Sequence, residues 1–164
     1  MLDVITGSIG RRLRVAVIGG GSNSQIGATH RLAMRFDDAF CIVAGVVSSD
    51  PQRAIAEGKS LNIERCYPDL DTLLKEEASF EDRPDIVAIM APNHIHTRAC
   101  LASLDAGYHV ICEKPLANSL ADAMEIVSRA KAQNRLLCIT HNYSGYPMVL
   151  QMREMVRSGA IGEV

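Results

Sequence analysis

Lys114 stands in the run Cys112-Glu113-Lys114-Pro115-Leu116, directly after a short apolar stretch that reads as a strand. In an open α/β sheet, ligands collect outside the carboxyl ends of the strands. A lysine at such an end can donate to a hydroxyl and stabilise an alkoxide developing on it. Glu113 is suited to a ribose or to orienting the lysine. Pro115 fixes the local backbone and biases the residue before it towards extended geometry. The plain alternative is a surface lysine in a strand-to-helix loop.

A second chemical element comes early. The apolar stretch 13–18 runs straight into Gly19-Gly20-Gly21-Ser22-Asn23-Ser24-Gln25-Ile26-Gly27. Glycines after a first strand let the backbone turn tightly and approach a pyrophosphate. The helix that follows offers free N–H groups and the positive end of its dipole. Gly19 and Gly21 fit the first two positions of G-x-G-x-x-G, but Gly27 arrives three residues late. Ser22, Asn23 and Ser24 extend the loop and offer hydroxyl or amide hydrogen bonds to phosphate, with Gln25 and Ile26 where the helix begins. An ordinary glycine-rich turn, or a loop for S-adenosylmethionine, fits this element taken alone. A Walker A loop is excluded, since no Gly-Lys-Ser/Thr follows.

The tip of the second strand reads Val47-Ser48-Ser49-Asp50-Pro51-Gln52-Arg53. A site selective for NAD usually puts an acid there, on the ribose hydroxyls. Here Ser48 holds that place. Ser48 and Ser49 would remove repulsion against a 2′-phosphate, and Arg53 could pair with it. Asp50 could instead reach the ribose, or simply cap a helix beside a solvated Arg53. NAD and NADP both stay open.

These elements need a sheet to position them. Strands are expected at 13–18, 41–47, 86–90, 109–112 and 136–140, with a weaker one near 62–66. Each main strand is β-branched or continuously apolar, as strands covered on both sides are. Between them, helices are expected over 26–36 (Ile26, Leu32, Ala33 and Phe36 at helical spacing), from Asp50-Pro51, over 69–78, over 93–106, over 119–133 (a stripe of Leu120, Ala123, Met124 and Val127), and over 147–158. Met124, Met148, Met152 and Met155 fall on these helices, where methionine is far more often core or interface filler than a ligand. The alternation implies an α/β fold: a Rossmann-type doubly wound parallel sheet in three layers.

Composition agrees. A chain of 164 residues, 48% hydrophobic and 22% charged, is about one ordinary globular domain. A net charge of −2 leaves no basic field for nucleic acid or an anionic membrane. Arg11, Arg12 and Arg14 form the only basic cluster, read as part of a solvated leader over 1–12. The five cysteines lack ligand spacing, which argues against a disulfide framework or a metal site and fits a reducing cytoplasm. Cys41, Cys112 and Cys138 fall inside expected strands. No stretch approaches the ~20 apolar residues of a membrane span.

Two later segments carry a resemblance. Ala91-Pro92-Asn93-His94-Ile95-His96-Thr97 and Gly107-Tyr108-His109-Val110-Ile111-Cys112-Glu113-Lys114-Pro115-Leu116-Ala117 together resemble the glucose–fructose oxidoreductase, inositol 2-dehydrogenase and MocA-like (Gfo/Idh/MocA) family, where such segments mark the nicotinamide side of the site. The stretch from His141 to Val164 is similar to that family's segment crossing into a second domain. The resemblance implies an NAD(P)-dependent enzyme acting on a sugar or polyol hydroxyl. It gives Lys114 the catalytic role and places Ala91, Pro92, Asn93, His96 and Glu113 at the cofactor. Asn142 and Tyr143, after the last strand, would supply donors to the substrate. His96 is as readily a helix-start histidine bonded to backbone, and His30 is read as packing or loop support. The nucleotide-binding domain is expected over 13–145, with 146–164 a crossing helix and the start of an absent α+β domain that would hold the acid/base pair. The full-length parent is expected to be a homo-oligomer, and this piece alone inactive. The alternative is a non-catalytic cofactor-binding sensor of the same fold.

Overall fold

The computed structural model describes residues 9–164; the first part of the expected leader lies outside the described residues. Strands β1 (Leu13–Gly19), β2 (Phe40–Val46), β3 (Arg65–Cys66), β4 (Ile86–Met90), β5 (His109–Glu113) and β6 (Leu137–Thr140) form one parallel sheet in the order β3-β2-β1-β4-β5-β6. Helices α1 (Gln25–Phe36), α2 (Pro51–Ser60), α3 (Leu70–Glu77), α4 (Asn93–Asp105), α5 (Leu120–Ala132) and α6 (Pro147–Arg157) alternate with them. The expected elements are all present, most bounds moved by about a residue, and the weaker strand expected near 62–66 is reduced to Arg65–Cys66. Caps explain several helix starts: Asp50, Asp69 and Ser119 each accept from a backbone N–H three residues on.

Successive residues of each strand feed opposite layers. Val15 and Val17 point to a cluster with Met34 of α1 and with Ile63, which follows α2. Ala16 and Ile18 join Leu73 of α3, Ala99, Cys100 and Leu104 of α4, and Ile126 and Ala130 of α5. The sheet is thus the middle of three layers. All five cysteines are free; Cys41, Cys112 and Cys138 lie in β2, β5 and β6, Cys112 buried and Cys138 exposed. Among the described residues, no helix is long and apolar enough to cross a membrane.

Two helices are rotated from their expected orientation. On α1 the inward stripe is Gly27, Arg31 and Met34, while Leu32 is 68% and Phe36 81% exposed. The close seating of Gly27 on the glycine loop sets this rotation and turns the larger apolar side chains outward. On α5 the inward residues are Ile126 and Ala130, leaving Leu120 and Met124 at 77% and 63% exposed. Helix α5 therefore carries two apolar stripes, and only one is used. Met148, Met152 and Met155 are likewise exposed on α6, so none of these methionines fills the core.

The arginine cluster is not free in solvent. Arg11 grips Asp85 through two hydrogen bonds of 2.7 and 2.8 Å, and Asp85 also accepts from the Arg14 N–H at 2.7 Å. Burial pushes the Asp85 carboxyl up, but those donors outweigh it and hold the group below the usual carboxylate range. Arg12 pairs with Asp38.

At the other edge, the two-residue β3 is pinned by a buried polar network. Arg65 meets the fully buried Glu77 at 2.7 and 3.0 Å, and the Tyr67 hydroxyl donates to the same carboxylate at 2.8 Å. Removing one member of such a network strands the others in a dry site. Glu77→Ala is expected to cost about 3 kcal/mol, a Tm loss of roughly 6–12 °C in a thermal melt. A melt unchanged within about 2 °C would show that Asp82 and Glu64, the other carboxylates beside Arg65, hold it without Glu77.

Candidate active site

The sheet order reverses between β1 and β4, so the chain departs to opposite sides there and a crevice opens above the strand ends. Register sets those ends in one row: Gly19 lies beside Met90, Ile89 beside Cys112, and Glu113 beside Thr140. The glycine loop after β1, Ala91-Pro92-Asn93 after β4 and Glu113-Lys114-Pro115 after β5 therefore line one rim. Asn142 and Tyr143 follow β6 in a short 3-10 turn, both exposed. The sequence had scattered these segments over most of its length.

Close backbone approach governs the loop. Gly19 has φ +78°, and a Cβ on it would lie 2.8 Å from the backbone of Ala91. A Cβ on Gly27 would lie 2.4 Å from the backbone of Gly20. Gly27 thus does the packing work of the third glycine in the usual motif, despite its later position. Residues 22–24 absorb the extra length in a turn closed by the Ser24 N–H to the Gly21 carbonyl, 2.9 Å. The Ser24 hydroxyl caps α1 by accepting from the Gly27 N–H at 3.1 Å, so this oxygen is already engaged. Ser22, Asn23, Gln25 and Ile26 are exposed around the helix start. First-turn N–H groups have no partner within the helix and suit an anion. Arg31, not anticipated, lies buried beneath and donates to the Gly20 carbonyl; burial lowers its pKa.

The three rim segments are tied together. His30 of α1 meets Glu113 through Nε2 and Oε1 at 2.7 Å, and the other carboxylate oxygen accepts from the Lys114 N–H at 3.1 Å. His30 thus supports the loop, as expected, and Glu113 is oriented by it. The Lys114 side chain is exposed and has no ion-pair partner among the described residues. The Lys114–Pro115 peptide is cis. His96 takes the structural of its two readings. It is fully buried, with its ring nitrogens 2.8 Å from the Pro115 carbonyl and 2.9 Å from the Ala91 carbonyl. It braces two rim loops and has no free nitrogen for a ligand. His109 sits at the opposite end of β5, where Nδ1 accepts from the Leu136 N–H.

At the β2 tip, Asp50 caps α2 through the Arg53 N–H at 2.8 Å, and the Ser48 hydroxyl accepts from the Asp50 N–H at 3.2 Å. The Arg53 guanidinium is held by Glu57 at 2.7 Å. The second oxygen of Glu57 accepts from the Ser22 N–H at 3.3 Å. Glu57 was invisible to motif reasoning: it lies inside a helix, away from the strand tip where the acid is sought.

The cradle makes a stability prediction. Gly27→Ala must push backbone against backbone, and overpacking of this kind costs about 1–3 kcal/mol. Gly145 meets nothing within 4 Å of an added Cβ. Gly145→Ala is expected to stay within about 0.5 kcal/mol of wild type. Equal denaturation midpoints for the two variants would contradict the crowding at Gly27.

Comparison with known proteins fits this geometry. The chain is 42% identical over 159 residues to the Bacillus subtilis oxidoreductase YfiI, covering 95% of this chain and 40% of that protein. It is 29% identical over 163 residues to the levoglucosan dehydrogenase of Pseudarthrobacter phenanthrenivorans, covering 94% and 39%. Among solved structures, an inositol dehydrogenase homologue from Azotobacter vinelandii complexed with NADH and myo-inositol matches with a TM-score of 0.90 and 40% identity, over 94% of this chain and 41% of that one. The chain thus spans about 40% of the length of these relatives. The S-adenosylmethionine alternative falls away, because residues 13–141 match the model of an oxidoreductase family with an NAD-binding Rossmann fold. Through that domain, this chain belongs to the Gfo/Idh/MocA family of oxidoreductases.

Proposed function

We propose that the chain is the nucleotide-binding half of a dehydrogenase that oxidises or reduces a CH–OH group of a sugar or polyol. In this reading residues 13–145 bind NAD or NADP, and residues 146–164 cross into a second, α+β domain that completes the substrate pocket and supplies the acid/base. The observation that carries it is Lys114: an exposed ammonium without an ion-pair partner among the described residues, on the same rim as the glycine loop, beside a Glu113 already held in place. The dinucleotide, when bound, supplies the hydride acceptor or donor. Gly19, Gly21, Ser22, Asn23, Gln25 and Ile26 fit its pyrophosphate, because the cradle has no room for side chains at its glycines and offers N–H groups at the helix start.

Each remaining residue has a defined task. Lys114 would donate a hydrogen bond to the reacting oxygen and stabilise its negative charge. Glu113, fixed by His30, would accept from a ribose hydroxyl or steady the lysine. Ala91, Pro92 and Asn93 would wall the cofactor's reactive end, with His96 holding that wall from behind. Asn142 and Tyr143 would hydrogen-bond substrate hydroxyls. The exposed apolar residues of α6 support a further domain lying there. The free cysteines suit a cytoplasmic protein, and we take the parent to be a homo-oligomer assembled through its second domain.

Calorimetric titration of this chain is expected to show weak binding of nicotinamide dinucleotides, none of S-adenosylmethionine, and no turnover. In the full-length protein, screened over polyols and sugars, Lys114→Ala should lower kcat about 10²–10³-fold. A full-length protein that binds cofactor yet turns over none of them would point instead to a sensor. An active enzyme indifferent to Lys114→Ala would remove the lysine from the chemistry.

A further inference from the structure

A Rossmann site that selects NAD commonly places its ribose acid at the tip of β2, close to the glycine loop. That tip here carries Ser48 and Ser49, neither of them acidic. The junction between tip and loop nevertheless holds a carboxylate, delivered from α2. The position a Cβ would take on Gly21 lies 2.5 Å from the Val47 carbonyl oxygen and 2.5 Å from Glu57 Oε2. One carbon's reach therefore joins the loop, the strand tip and the acid.

The carboxylate is built in. Its side chain is only 20% exposed, one oxygen is gripped by Arg53 at 2.7 Å, and the other accepts from the Ser22 N–H at 3.3 Å. The Arg53 guanidinium and the Ser22 N–H hold Glu57 below the usual carboxylate range, so it is ionised at neutral pH. Arg53, the group the sequence offers to a 2′-phosphate, is drawn towards Glu57 through one of its terminal nitrogens.

We propose that Glu57 is the cofactor-specificity residue of this domain, selecting NAD over NADP by placing a negative charge where the adenosine 2′-phosphate would lie and by withholding Arg53 from it. The inference rests on the dinucleotide reading above. An acceptor at this junction suits a ribose hydroxyl, whereas a phosphate there meets like charge and loses its natural cation.

The test is calorimetric titration of this chain with NADH and with NADPH. Wild type is expected to bind NADH at least roughly tenfold more tightly. Glu57→Gln, which keeps the shape and removes the charge, should raise NADPH affinity about tenfold or more while NADH affinity falls by a smaller factor. Adding Arg53→Ala to Glu57→Gln should cancel most of the NADPH gain, because the released arginine provides it. Thermal melts confirm folding of each variant, and Glu57→Ala repeats the charge removal should the glutamine variant misfold. Equal affinities for both cofactors in wild type, or an unchanged ratio in the charge-removed variant, would overturn the assignment of Glu57 alone. Binding of neither cofactor by a folded wild type would overturn the dinucleotide reading itself, and this inference with it.

Discussion

Where β1 meets α1 the backbone touches itself, with no side chain between. Gly27 rests on Gly20, and Gly19 turns against Ala91, just past the carboxyl end of the neighbouring β4. Protein interiors tolerate little overlap, so such contacts fix position more tightly than side-chain packing does. The first sets the height and rotation of α1 over the sheet. The second sets the gap between the loop and the end of β4. Everything on the rim is then placed relative to these two points.

Outward from that seam, polar ties replace steric ones. Arg31 holds the loop from below through the Gly20 carbonyl. His96 stitches the end of β4 to the Pro115 carbonyl, and His30 reaches from α1 to Glu113. Buried or half-buried donors and acceptors must be satisfied, and here the satisfaction itself aligns the loops. Lys114 is the exception: its neighbours are secured while its own ammonium has no ion-pair partner among the described residues. In the proposed reaction, an unspent donor of this kind would meet charge that appears only on the way to product.

Much of this was legible in the residues. Continuous apolar runs marked strands covered on both faces, and Asp50-Pro51 marked a helix start. The Glu-Lys-Pro run marked the carboxyl end of β5. Helix faces were read less well. On α1 the deciding residue is a glycine, which contributes nothing to an apolar pattern, and a buried arginine, which opposes it. On α5 two apolar stripes coexist, and periodicity cannot say which one meets the sheet. Arg11 looked solvated because its partner Asp85 lies far along the chain. Glu57 escaped for the same reason: its meaning comes from Ser22 and Gly21, brought to it by the β1–α1–β2 crossover.

The imidazole–carboxylate contact between His30 and Glu113 joins positions 83 apart in sequence and bridges the two halves of the doubly wound sheet. The halves are often regarded as separable mononucleotide-binding units. In this protein they are not interchangeable parts. A chimera whose first three strands brought no histidine to position 30 would leave Glu113 without this partner, and the loop bearing the lysine would lose a tie to the helix that follows the glycines. Recombination within this domain therefore has to keep a histidine and a carboxylate at the two ends of that bridge.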